Sequence, residues 1–133
     1  KIAEENGQNL KITDRVEWRQ GDYLKAFDEE DIFDGIFSNP PYIPTKDIGG
    51  LSREVKHEPR LALDGGTDGL YFYHLLAKGA AEHLKPGGFL AAEFGIGQAT
   101  DILEMFRKSA QYEDFEVIKD YGGIERALYC RKK

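Results

Sequence analysis

Cysteine is nearly missing from this sequence: 133 residues hold one, Cys130. No disulfide can form within the chain, and a reducing cytoplasm is the compartment this suggests. Long apolar runs are missing too, and none approaches the roughly 18 residues that a membrane-spanning helix needs. The opening KIAEENGQNL has neither an apolar signal core nor an Arg-rich transit pattern. Positive charge is in deficit, with 18 Lys and Arg against 24 Asp and Glu and a formal net charge of −6 at pH 7. The one cationic run is the terminal Arg131-Lys132-Lys133. Proteins that grip nucleic acid through phosphates carry a basic face, so the balance weighs against such a partner. His57, His74 and His83 are spread over the chain with no acid or thiol at metal-ligand spacing. No metal site is expected.

What is present fits one compact domain, with hydrophobic residues at 41%. Residues Lys1 to Leu10 read as the last turns of a helix, with Gly7 and Asn9 as exit signals. Arg15 to Gln20 alternates Val16 and Trp18 with polar neighbours, a strand pattern that puts Trp18 in the core. YLKAFDEE after Gly21-Asp22 is a short helix or turn, and the acidic run Asp28 to Asp31 reads as a solvated turn. Phe33 to Ser38 is a short apolar strand stopped by two prolines. Ile43 to Thr67 is a long stretch rich in Pro, Gly and charge without a period, and such loops are usually functional.

Gly69 to Leu84 follows as an amphipathic helix whose stripe is Leu70, Tyr73, Leu76, Ala77, Ala80 and Leu84. Phe89 to Phe94 is a buried strand, and Gly97 to Ala110 a helix with Ile102, Leu103, Phe106 and Ala110 inward. Phe115 to Tyr121 and Arg126 to Arg131 close the chain as an antiparallel pair around Gly122-Gly123. Alternating strands and helices predict an α/β domain with a mostly parallel sheet and an antiparallel C-terminal hairpin.

The chemistry concentrates in Ser-Asn-Pro-Pro-Tyr, Ser38 to Tyr42, at the carboxyl end of a strand. Open α/β sheets bind ligands beyond that end. Asn39 offers an amide carbonyl and NH₂, and the prolines, lacking N–H, free the Asn39 and Pro40 carbonyls to face a ligand. Tyr42 adds a flat face and a hydroxyl. Two acceptors, the Asn39 side-chain oxygen and the Pro40 carbonyl, suit the two hydrogens of a substrate NH₂ whose lone pair must point at an incoming methyl. An isolated Asn-Pro-Pro is more often a plain turn, about two times in three. The strand before it and the tyrosine after it reverse those odds.

At these residues the chain resembles the peptide-chain-release-factor glutamine methyltransferase family. NPPY is shared by many class I methyltransferases that act on amino or amide nitrogens. The segment HEPRLALDGGTDGLYFY, His57 to Tyr73, is far more specific, and LKPGGFLAAEFGIGQ and DYGGIERALY resemble the family's closing segments. The resemblance implies a Rossmann-like class I methyltransferase sheet, S-adenosyl-L-methionine as cofactor, and a release factor glutamine as methyl acceptor. By position it implies that Asn39 touches cofactor and substrate amide, that Pro40, Pro41 and Tyr42 complete the glutamine pocket, and that Glu58 flanks it. It puts Asp22 and Tyr23 at the adenine, with Tyr23 as the stacking face, and Glu93 behind the site as a support.

The family's D-x-G-x-G-x-G loop after a first strand, and the acid after a second, do not occur here. Residues 1–133 are therefore expected to be part of a catalytic domain that lacks its first two strands. Unpaired edges near Arg15 to Gln20 and Ile32 to Ser38 would then invite self-association. Two other readings stay open: a nucleic-acid amino-methyltransferase acting on adenine N6 or guanine N2, and a non-catalytic fragment or binding module.

Overall fold

The computed structural model describes residues 1–52 and 55–133. The segment expected at 43–67 therefore includes two positions, Arg53 and Glu54, that lie outside the described residues. The elements in chain order are α1 (Ile2–Asn9), β1 (Phe33–Ser38), α2 (Tyr71–Gly79), β2 (Leu84–Glu93), α3 (Ala99–Lys108), β3 (Tyr112–Lys119) and β4 (Glu125–Lys132). Short 3₁₀ turns occupy Tyr23–Ala26, Thr45–Gly50, Val55–His57, Arg60–Ala62 and Ala80–His83.

The strands form a 4-stranded sheet in the order β1-β2-β4-β3. β1 pairs parallel to β2, whereas β4 runs antiparallel to both β2 and β3. The sheet is thus mixed and only partly parallel. The strand expected at Arg15 to Gln20 does not form. A strand is stable only when a neighbour takes its backbone N–H and C=O groups, and β1 presents its outer edge without this segment. Arg19 instead binds the carboxylates of Glu17 and Asp31, and Trp18 stays 40% exposed rather than entering the core. The indole covers Gly7, which is buried inside α1 and is not the exit signal expected there.

Both longer helices lie where their apolar period predicts, with shifted ends. The α2 stripe buries Tyr73, Leu76 and Ala77, but the helix stops at Gly79 and tightens into the turn carrying Ala80 and Ala81. β2 extends back to Leu84 through Lys85-Pro86-Gly87-Gly88, with a register shift where Phe33 pairs with Leu84 and Gly35 with Phe89. In α3 the i, i+4 pair Ile102 and Phe106 faces the sheet. Asp101 in its first turn and Arg107 and Lys108 in its last suit the helix dipole. Ala110, expected to face inward, is exposed beyond the helix with φ of 59°.

The core lies between these helices and one face of the sheet. Ile36, Leu90, Ala92, Leu128 and Cys130 meet Tyr73, Leu76, Ile102, Phe106 and Tyr112. Buried hydroxyls need partners. Tyr112 donates to the Leu76 carbonyl at 3.0 Å, and Tyr73 donates to the Glu93 carbonyl at 2.6 Å. Burial pushes the Cys130 thiol up to about 12, so it behaves as a small apolar side chain. His83 packs edge-on against Phe27 and pairs through Nδ1 with the Asp31 carbonyl at 3.1 Å. Asp31 is likewise drawn out of the solvated turn by Arg19, which lowers its carboxyl pKa.

Because Phe106 is 0% exposed, truncating it removes a large apolar group and leaves a cavity. Phe106→Ala is expected to cost about 3–5 kcal/mol. Denaturant unfolding should show a lower midpoint at an unchanged slope.

Candidate active site

β1 and β2 run parallel, so their carboxyl ends reach the same rim of the sheet. Pro40 follows Asn39 at the end of β1, is buried, and turns the chain across that rim. Residues 42–45 then run beside 63–69. Ile43 and Asp64 form an isolated parallel bridge. The Ile43 N–H donates to the Leu63 carbonyl at 3.0 Å, Gly65 N–H to Ile43 at 2.9 Å, and Thr45 N–H to Gly66 at 2.9 Å. The two segments that carry the sequence motifs, 39–42 and 57–73, are therefore one structural unit.

This approach requires glycine at two positions. A Cβ on Gly65 would stand 2.8 Å from both the Pro41 carbonyl oxygen and the Tyr42 Cα. Gly69 has φ of 79°, and a Cβ there would run into the Tyr42 carbonyl oxygen and stand 2.7 Å from Gln98 Nε2. Asp64 secures the same loop: its carboxylate accepts from Thr45 Oγ1 at 2.6 Å, from Gly66 N–H at 3.1 Å and from Arg60 Nε at 3.3 Å. The Thr45 hydroxyl, then the Gly66 amide and the Arg60 guanidinium, hold the Asp64 carboxyl below its ordinary value.

The unit encloses a hollow of about 450 Å³ lined by Asn39, Pro40, Tyr42, Glu58, Val55 and Leu63, among others. Four expected acceptor-side residues, Asn39, Pro40, Tyr42 and Glu58, thus share one cavity. Pro41 does not line it; its carbonyl faces Gly65. Tyr42 donates to Glu93 Oε1 at 3.4 Å. Burial, then the nearby Glu93 carboxylate, raises the pKa of the Tyr42 hydroxyl and keeps it a donor at neutral pH.

Asp22 and Tyr23 lie elsewhere, in a separate hollow of about 330 Å³ with Leu24, Tyr71 and Leu75. Asn39 lies outside it. Asp22 makes no capping bond to the turn it precedes and pairs with Lys25 Nζ at 2.7 Å. The Tyr23 ring, expected as an open stacking face, is tilted against Phe72 at 5.0 Å, and its hydroxyl shares a 3.1 Å hydrogen bond with Ser38 Oγ. Burial pushes that hydroxyl up to about 12. The hollow fits an adenine-sized ring only in part: it has apolar walls, a carboxylate at its rim, and one aromatic face already taken by Phe72. Tyr71 is 56% exposed and lines this hollow. It stands two residues before buried Tyr73, about 200° around the helix, which puts it on the opposite side of α2, a signal readable from the helical period.

The fold places the chain in a class. A methyltransferase structure from Pyrococcus furiosus matches 77% of this chain and 42% of its own, with TM-score 0.52 and 28% identity. TrmN from Thermus thermophilus matches 99% of this chain at TM-score 0.60, and its 17% identity makes that a likeness of fold. The α/β sheet is that of a class I methyltransferase. No family model matches the chain.

Sequence comparison narrows the class. The chain is 41% identical over 132 residues to the release factor glutamine methyltransferase of Moorella thermoacetica, covering 99% of this chain and 46% of that protein. The enzyme of the same name from Synechocystis sp. is also 41% identical, over 98% of this chain and 44% of its own length. That from Geobacter sulfurreducens is 52% identical over 97 residues, 72% of this chain. The chain belongs to the release factor glutamine methyltransferase family, aligned with the C-terminal part of its members. It spans a little under half the length of these curated relatives.

Gly69→Ala is expected to destabilise by about 1–3 kcal/mol, because φ is positive and the Tyr42 carbonyl fills the space. Gly49 has open space around it, so Gly49→Ala should be neutral or stabilising by about 0.4–1 kcal/mol. Thermal unfolding of the pair makes the comparison.

Asp64 has a depressed folded pKa, so its contribution is complete above the ordinary value of 3.8 and is lost as pH falls through the lower folded value. Hydrogen-exchange protection at the Thr45 and Gly66 amides, measured against the intrinsic rate at each pH, should fall on acidification below about pH 4. Asp64→Asn should show fast exchange at neutral pH and no further acid step.

Proposed function

We propose that residues 1–133 form the acceptor side of an S-adenosylmethionine-dependent methyltransferase domain, and that the whole protein methylates the side-chain amide nitrogen of a glutamine in a peptide chain release factor. The observation that carries this reading is the single hollow shared by Asn39, Pro40, Tyr42 and Glu58. The relatives' names supply the substrate class.

S-adenosylmethionine supplies, when bound, an electrophilic methyl group; Asp22 and Tyr23 are the residues proposed at its adenine edge, with Asn39 between cofactor and acceptor. The chain's own residues act on the acceptor. The Asn39 side-chain oxygen and the Pro40 carbonyl take the two amide hydrogens. An amide nitrogen is a poor nucleophile because its lone pair is delocalised into the carbonyl. Acceptors fixed to both N–H bonds orient that nitrogen and favour its pyramidal form, so positioning and electrostatics do the work that a strong base would otherwise do. The proton displaced from nitrogen passes to solvent. Tyr42 covers the planar amide with its ring while its hydroxyl is spent on Glu93. Pro41 shapes the turn rather than the wall. A release factor acts in translation, so the reaction belongs in the cytoplasm.

The full-length protein, given release factor and methyl-labelled cofactor, should place one methyl group on a glutamine, read by mass spectrometry. Unmodified glutamine alongside an active control enzyme would remove the assignment. Asn39 is exposed at the end of β1, so Asn39→Ala should leave the melting temperature nearly unchanged. It should lower kcat/KM by at least about 100-fold, the loss typical of one positioned hydrogen-bonding group.

A further inference from the structure

Gln98 stands outside the hollow, between β2 and α3 at the N-cap position of that helix. Its side chain makes no capping bond to the helix. It reaches instead into the junction of the two motif segments. Oε1 accepts from the Gly95 N–H at 2.9 Å. Nε2 donates to the Tyr42 carbonyl at 3.0 Å and to the Gly69 carbonyl at 3.4 Å. The amide can adopt only this orientation, because the flipped form would set its oxygen against two carbonyls and its NH₂ against an N–H. Gly95 leaves room for the arrangement: a Cβ there would stand 3.1 Å from both Gln98 Oε1 and Tyr42 Cδ2.

We infer that Gln98 is a positioning residue for the methyl-acceptor pocket, holding the Tyr42 backbone against Gly69 and so fixing the turn that aims Asn39 and Pro40. This rests on the acceptor-side reading above. Three features of the side chain are required together. Its donor half must satisfy two carbonyls, its acceptor half must take one N–H, and its length must span from the start of α3 to both segments. Glutamate supplies acceptors alone, lysine donors alone, and asparagine falls one methylene short. Since neither the start of α3 nor the core uses the Gln98 side chain, its loss acts on the loop and not on the fold.

The test uses Gln98→Glu, which keeps the volume and the bond from Gly95 but removes the donor. Hydrogen exchange should quicken about tenfold at the Ile43, Thr45 and Gly65 amides, the scale of one lost hydrogen bond. Exchange in β2, β4 and α3 should stay as in the parent protein. In the full-length protein, kcat/KM for a release factor glutamine should fall about 100-fold, as expected for a slightly misplaced acceptor, with the KM for S-adenosylmethionine unchanged. Gln98→Ala should reproduce both effects. Equal exchange at those amides, or unchanged acceptor kinetics, overturns the inference, as does faster exchange spread evenly through the core, which would mark a general structural role. If the parent protein methylates no glutamine, the functional reading falls separately. The exchange pattern then decides whether Gln98 holds the loop.

Discussion

The backbone of residues 42–45 lies against that of residues 63–69, and the rest of the site depends on this contact. β1 delivers Asn39 to the sheet rim, but the two prolines after it cannot donate backbone hydrogen bonds and cannot extend the ladder. The chain leaving them must find other partners. It finds them in the returning segment, through Ile43, Thr45 and Gly65 amides, and this works only because Gly65 and Gly69 carry no side chains. A loop that would otherwise be a long irregular excursion becomes a bridged pair with a cavity on one side. The prolines that free the Asn39 and Pro40 carbonyls thus also create the demand that the Gly-rich segment meets.

The anchoring is graded. Deep in the molecule, the Tyr73 hydroxyl holds the Glu93 carbonyl and so ties α2 to the end of β2. One step outward, Glu93 receives the Tyr42 hydroxyl. Outermost, Asp64 and Gln98 hold the loop through side-chain bonds at a half-exposed surface. Hydrogen bonds contribute about 0.5–1.5 kcal/mol net each, whereas each large core side chain contributes several-fold more. The loop is therefore expected to open below the global unfolding free energy. If the hollow admits a side chain of another protein, as proposed, it benefits from that ordering.

The sequence was legible where a period or a covalent constraint decides the outcome. The stripe through Tyr73, Leu76 and Ala77 and the pair Ile102 and Phe106 marked the helices and their buried faces, and Pro40-Pro41 marked the end of β1. It misled where tertiary partners decide. Arg15 to Gln20 alternates like a strand, yet alternation supplies no ladder, and Trp18 takes the nearest apolar surface, over Gly7. The contacts of Tyr23 were not legible either: its ring is tilted against Phe72 and its hydroxyl is shared with Ser38, neither of which a local pattern marks. Asn39, Pro40, Tyr42 and Glu58 were readable as a group because a motif match preserves spatial proximity across an interval of sequence. Gln98 was readable only as part of a segment, since nothing local says that an amide at the start of a helix will reach back to residue 42.

Charge gives the hollow a further constraint. Glu58 lines it, and Glu93 lies just behind, bonded to Tyr42. Both carboxylates act on the Tyr42 hydroxyl in the direction that raises its pKa, with Arg126 opposing. In a chain of net charge −6, an acceptor carrying phosphates would approach this rim against a negative potential. A glutamine side chain is uncharged, and its carboxamide brings two N–H donors toward oxygen acceptors. The lining is mostly apolar, and the Glu58 carboxylate that opposes a polyanion there does not oppose a neutral amide. On the proposed function, the two motif segments contribute separate parts of acceptor choice: the Asn-Pro-Pro-Tyr turn would hold an NH₂ group, and the acidic residue on the returning loop would favour one borne on a neutral side chain.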